Sequence, residues 1–149
     1  YGTPKVVVDY AHTPDALGKV LTGLAAQCRG RLICVVGCGG NRDRGKRPEM
    51  AQMASNLSDH LWLTSDNPRD EVPADILQDM LSGLSVQQRQ SVSTVEDRGA
   101  AIAQAVGSAS VDDLVVIAGK GHEDTQEIAG VKYPFSDVAH VENIFKESA

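Results

Sequence analysis

Leu61-Trp62-Leu63-Thr64-Ser65-Asp66-Asn67-Pro68-Arg69 is an apolar run that stops abruptly at an acid, an amide, a proline and an arginine. Pro68 cannot donate to a sheet and drives Asn67 out of helical geometry, so the chain turns there. The run reads as a buried strand whose tip fixes Asp66, Asn67 and Arg69. That tip offers a negative acceptor, a neutral donor-acceptor and a planar cationic fork. A ligand that answers such a set carries both ammonium and carboxylate groups, and an amino acid is the simplest one.

Outward from this stretch, strand-like and helix-like segments alternate. Lys5 to Asp9, Leu32 to Val36, Leu61 to Thr64, Ser91 to Val95 and Leu114 to Ala118 are the strands, and a short segment near Gln126 to Ile128 is expected to add an edge strand. Thr13 caps a first helix with Pro14 at its first position. Its apolar face is Ala16, Leu17, Val20, Leu21 and Leu24. Pro48 is expected to open a second helix and Pro73 a third, which ends near Gly83. Asp97 caps a fourth helix. Ser136 caps the last, with Val138, Val141, Ile144 and Phe145 on its buried stripe. Nearly all-apolar strands in β-α succession imply an α/β, Rossmann-like, mainly parallel sheet of about six strands with helices on both faces. Ligands in such sheets sit beyond the carboxyl ends of the strands. The polar residues that stand out lie there: 9–12, 37–47, 66–69 and 119–124.

The 149 residues suit a single domain. Apolar content of 42% and charged content of 23% are ordinary for a soluble globular protein. No apolar run approaches the ~20 residues that span a bilayer, so no membrane partner is expected. No basic-then-apolar leader is present. The chain begins Tyr1-Gly2 without an initiator Met, which reads as an internal cut in something larger. Three cysteines without CxxC spacing point to a reducing, cytoplasmic setting with free thiols. Cys34 and Cys38 read as small residues at a strand and its exit rather than a metal site. A net charge of −6 disfavours nucleic acid as a partner.

Gly37 to Pro48 invites two misreadings. Gly40-x4-Gly45-Lys46 resembles a nucleotide P-loop, but Arg47 stands where the Mg²⁺-binding hydroxyl belongs. Gly37-x-Gly39 resembles a dinucleotide fingerprint, but Arg42 takes the place of the third glycine. What remains is a flexible turn holding Arg42, Arg44, Lys46 and Arg47 against a single acid, Asp43: an anion site, with Arg42 best placed for a bidentate carboxylate contact. In Gly119-Lys120-Gly121-His122-Glu123-Asp124 the glycines permit close ligand approach. There the Gly119 carbonyl and the Glu123 carboxylate can meet an ammonium. In Asp9-Tyr10-Ala11-His12, Asp9 can accept ribose hydroxyls and His12 can contact a base or phosphate. A packing role for His12 and a plain turn at 119–124 stand as the bland alternatives.

Taken together, the four segments resemble the C-terminal domain of the Mur ligases, the ATP-dependent enzymes that extend the peptidoglycan stem peptide. The resemblance runs over essentially the whole chain, 1–149. Its specific part is Asp66-Asn67-Pro68-Arg69, which resembles the signature of the member that adds meso-diaminopimelate to UDP-MurNAc-L-Ala-D-Glu; lysine-adding relatives lack this arginine. The resemblance implies that Arg42, Asp66, Asn67, Arg69, Gly119 and Glu123 bind diaminopimelate and that Asp9 and His12 contact ATP. It assigns no catalytic residue and no metal ligand within this chain. It further implies that the UDP-binding and ATP-binding domains, with most Mg²⁺ ligands, precede this one. The domain would then position an amine near an activated carboxylate, where proximity can lower a barrier by up to ~7–11 kcal/mol. Two other classes remain open. A stand-alone nucleotide-binding Rossmann module is opposed by the broken fingerprint at Arg42. A non-catalytic amino-acid sensor would keep the same pocket.

Overall fold

A computed structural model describes residues 3–148; Tyr1 and Gly2, read above as an internal cut, lie outside the described residues. Strands β1 (Lys5–Asp9), β2 (Leu32–Val36), β3 (His60–Leu63), β4 (Val92–Thr94) and β5 (Leu114–Ala118) form one sheet in the order β1-β5-β2-β3-β4. Each neighbouring pair is parallel, with Val35 set between Ile117 and Trp62. Both β2 and β5 are buried along their whole length. That is why they read as continuous apolar runs rather than alternating ones.

Helices α1 (Pro14–Ala25), α2 (Lys46–Leu57) and α3 (Pro73–Leu81) cover one face, packing Leu17, Leu21, Met50, Ala54, Ile76 and Met80 against Cys34, Val36 and Val116. After a one-turn α4 (Val86–Arg89), helices α5 (Arg98–Ser108) and α6 (Asp137–Ser148) cover the other, where Ile102, Ala105 and Val141 meet Ile33, Val35 and Ile117. The caps fall where local chemistry places them. Thr13, Asp97 and Ser136 accept from the backbone N–H groups of Ala16, Ala100 and Ala139 at 3.2, 3.2 and 3.1 Å.

Three local readings need correction. Helix α2 begins at Lys46 rather than Pro48. The missing N–H of Pro48 falls in the first turn, whose donors have no intrahelical partner in any case. The short α4, closed by a capping box between Ser85 and Gln88, was not anticipated. Residues 126–128 are not a sixth strand of the sheet. They lie in β6 (Thr125–Ile128), paired antiparallel with β7 (Val131–Pro134) as a separate two-stranded ribbon. Its turn has Ala129 and Gly130 at φ +51° and +80°, both in the left-handed region that tight hairpins use.

The connections explain where a ligand can sit. From β2 the chain runs to α2 on one face, and from β5 it runs through the hairpin to α6 on the other. These neighbouring strands therefore diverge at their carboxyl ends and leave a crevice between them, the topological switch point.

Candidate functional site

Three loops build the crevice. The first is the turn after β3. Thr64, Ser65 and Asp66 are buried, and Arg69 sits at φ +52°. The β6–β7 hairpin clamps this turn. Gln126 Nε2 donates to the Asp66 carbonyl at 2.8 Å, the Glu127 N–H donates to Asn67 Oδ1 at 2.9 Å, and Arg69 and Glu127 join through a backbone bond of 2.9 Å. From the other side, the Gly40 N–H donates to the Asn67 carbonyl at 2.7 Å and Arg69 Nη1 donates to the Gly40 carbonyl at 2.9 Å. A Cβ at residue 40 would strike the Pro68 carbonyl, so glycine is required by this close approach.

The second loop, after β2, is not a free basic turn. Arg47, 1% exposed, holds Glu71 at 2.7 and 2.9 Å, Asp79 at 2.9 Å and the Gly39 carbonyl at 3.1 Å. Arg44 also pairs with Asp79. The Arg47 guanidinium, with the Asn41 N–H beside it, holds the Glu71 carboxyl down at about 2. Two of the four cations are therefore spent tying the loop to residues 71–79. Arg42 and Lys46 line the crevice. Arg47, which stands where a P-loop would carry its hydroxyl, is turned away into the Glu71 and Asp79 pair.

The third loop follows β5. Gly119 has φ +114°, a backbone conformation that side chains resist, and a Cβ there would come within 3.2 Å of Asp66 Oδ2. Beneath the loops, Arg98 and Asp137 form a bidentate pair at 2.8 Å with no exposed surface on either side chain. Arg98 also donates to the carbonyls of Ser65 and Ala118, both at 3.1 Å, and so ties together the exits of β3 and β5.

Arg42, Asp66, Asn67, Arg69, Gly119 and Glu123, the six residues expected to read an amino acid, all line one cleft of about 290 Å³. His12 lines it as well, its ring edge-on to Tyr10 at 4.7 Å and its Nδ1 3.0 Å from the Tyr10 carbonyl. Asp9 is set apart. Its carboxylate accepts from the Ala11 N–H at 2.8 Å, and it lines an adjoining cleft of about 450 Å³ that shares Tyr10 and Glu123 with the first. Lys120 stands outside the six residues expected to read the amino acid. The side chain is fully buried, 3.5 Å from Glu123, 3.2 Å from Asp66 and 2.9 Å from Asn67. Arg98, Gln126 and Glu127 carried no recognisable motif.

The chemistry is that of charge recognition. Burial, with the Asp66 carboxylate adding to it, pushes the Cys38 thiol in the cleft wall up to about 12, so it offers no nucleophile at neutral pH. Among the described residues, no three His, Cys, Asp or Glu side chains are grouped to hold a metal ion. Nor is any described helix long and apolar enough to cross a membrane.

A parallel α/β sheet with a charged cleft at its switch point defines a Rossmann-like α/β domain. The chain belongs to the Mur ligase family: residues 2–121 match its glutamate ligase domain. It is 56% identical over 135 residues to the UDP-N-acetylmuramoyl-L-alanyl-D-glutamate–2,6-diaminopimelate ligase of Pseudomonas syringae pv. tomato, covering 91% of this chain and 27% of that protein. The ligase of the same name from Xylella fastidiosa is 57% identical over 137 residues, with the same coverage. A solved structure described by that ligase name superposes with a TM-score of 0.92 at 47% identity, covering 96% of this chain and 29% of that one. The chain thus spans a little over a quarter of the length of these relatives.

Proposed function

We propose that this chain is the amino-acid-binding domain of an ATP-dependent ligase that joins meso-diaminopimelate to UDP-MurNAc-L-Ala-D-Glu. The observation that carries this reading is the gathering of two arginines and two acids from three separate loops around one cleft. Diaminopimelate has two ammonium and two carboxylate groups, and the set complements it. Arg69 and Arg42 face carboxylates. Asp66, Glu123 and the Gly119 carbonyl accept from an ammonium. Asn67 has its Oδ1 engaged by Lys120 and by the Glu127 N–H, so it meets the ligand with its Nδ2 donors. The names of the relatives support diaminopimelate as the amino acid.

In this reading ATP supplies the phosphoryl group that activates the dipeptide carboxylate, and residues of this chain orient the attacking amine toward it. Asp9 and His12, at the rim, would face the nucleotide. In this reading most Mg²⁺ ligands belong to the ATP-binding domain that the family resemblance implies.

Lysine lacks the distal carboxylate and leaves Arg69 without that partner. The Glu127 carboxylate lies 3.5 Å from Arg69 Nε and softens the penalty, so discrimination rests on losing the ligand contact rather than on a bare buried charge. Isothermal titration of the chain and of the full-length protein with diaminopimelate, lysine and NAD tests the reading. Diaminopimelate should bind in preference to lysine, and NAD should not bind. Equal affinity for lysine, or binding of NAD, would overturn it. Amide formation by these 149 residues alone would equally contradict a domain that only positions the amine.

A further inference from the structure

Lys120 has no exposed surface, and its Nζ is surrounded by oxygen: Asn67 Oδ1 at 2.9 Å, the Thr125 carbonyl at 3.0 Å, Asp66 Oδ1 at 3.2 Å and Glu123 Oε1 at 3.5 Å. Three of these partners belong to the six residues assigned above to diaminopimelate, and they come from two different loops. An ammonium has three donors and no acceptor, so four oxygens saturate it. Each carboxylate gives Lys120 one oxygen and keeps another. For Asp66 the remaining oxygen is Oδ2, which lies directly over Gly119, where a Cβ would approach it to 3.2 Å. The absent side chain of Gly119 leaves room at that oxygen, on the cleft wall.

We infer that Lys120 is a positioning residue, an internal counter-ion that turns Asp66 and Glu123 so that their outer oxygens face the substrate ammonium, and turns Asn67 so that its Nδ2 donors face a substrate carboxylate. The inference rests on the amino-acid reading of the cleft and deepens it. Stability alone explains the arrangement poorly, because the desolvation of a buried ion pair largely cancels its attraction. Without Lys120, Asp66 and Glu123 would share an oxygen cage with no cation in it. Their outer oxygens would be free to turn inward or to capture a small cation.

The test uses the full-length protein and reads affinities for diaminopimelate and ATP separately by calorimetry. In Lys120→Ala, the dissociation constant for diaminopimelate should rise about tenfold or more, the loss expected when charge-assisted contacts are misaligned. That for ATP should stay within about twofold. Millimolar ethylammonium should refill the cage in Lys120→Ala and restore diaminopimelate binding. In Lys120→Met, whose side chain occupies the space without charge, the same ion should restore nothing. Unchanged diaminopimelate affinity in folded Lys120→Ala, or no rescue by ethylammonium, would overturn the inference. If the variants do not fold, the isotope-labelled Nζ resonance of Lys120 in the wild-type protein decides: it should move on saturation with diaminopimelate, and a stationary signal sinks the proposal. Failure of the wild-type protein to bind diaminopimelate would instead remove the amino-acid reading itself, and this inference with it.

Discussion

Truncating Arg69 to alanine is the sharpest test of how the cleft reads charge. The side chain is 18% exposed, so its charge is only partly screened by water. Its Nη1 is engaged by the Gly40 carbonyl and its Nε faces Glu127 at 3.5 Å, which leaves the Nη2 end of the fork for a ligand carboxylate. A charge-assisted contact of this kind contributes about 1.5–3 kcal/mol. Removing the arginine also leaves Glu127 without its cation. A loss of about 2 kcal/mol is expected, roughly thirtyfold in the KM for diaminopimelate in the full-length protein. The KM for ATP should change little, and the preference for diaminopimelate over lysine should shrink by a similar factor. Backbone strain separates binding from folding. At φ +52° an alanine is as strained as the arginine, whereas Arg69→Gly relieves about 1 kcal/mol. The glycine variant should therefore melt higher than the alanine variant and be equally poor with diaminopimelate. A KM within about twofold of wild type in both variants would show that Arg69 is not a carboxylate clamp.

Glu123→Gln keeps shape and removes charge. Because Glu123 is 40% exposed and already near Lys120, titration calorimetry should show a loss of roughly 1–2 kcal/mol in diaminopimelate affinity, with a silent result showing that Glu123 does not contact the ligand. Gly40→Ala should lower the melting temperature and weaken diaminopimelate binding together, because the new Cβ meets the Pro68 carbonyl; an unchanged melting curve would mean the two loops are not in contact. Glu71 supplies a pH test. Its folded pKa of about 2 lies below the unfolded value, so its contribution is present above about pH 4.5 and is lost as pH falls toward 2. Melting curves at successive pH values should therefore show a shallower acid limb for Glu71→Gln, and matching slopes would count against the Arg47–Glu71 tie.

Much of this domain is local chemistry. The buried strands β2, β3 and β5, the caps at Thr13, Asp97 and Ser136, and the turn forced by Pro68 follow from apolar runs and from side chains that bond within three residues of themselves. The placing of polar residues at strand ends followed as well, since a parallel α/β succession puts every such end on one edge. Tertiary structure decided which charges meet. With 14 cations and 20 acids in the chain, composition leaves the pairing open. Arg47 was counted among free cations until α3 and the turn before it brought Asp79 and Glu71 to it. Arg98 and Asp137, which join over a separation of 39 residues, carry no motif because only the packing of α5 and α6 sets them together. The segment at 126–128 does not join the main sheet because β6 pairs with β7 across the tight Ala129-Gly130 turn. The insertion of β5 between β1 and β2 is likewise a long-range choice, and it brings Glu123, Lys120 and Gly119 against a turn more than fifty residues earlier in the chain. Short-range forces set the elements and the kinds of group at their ends; sheet order, which depends on the burial of whole faces, set the geometry of the cleft.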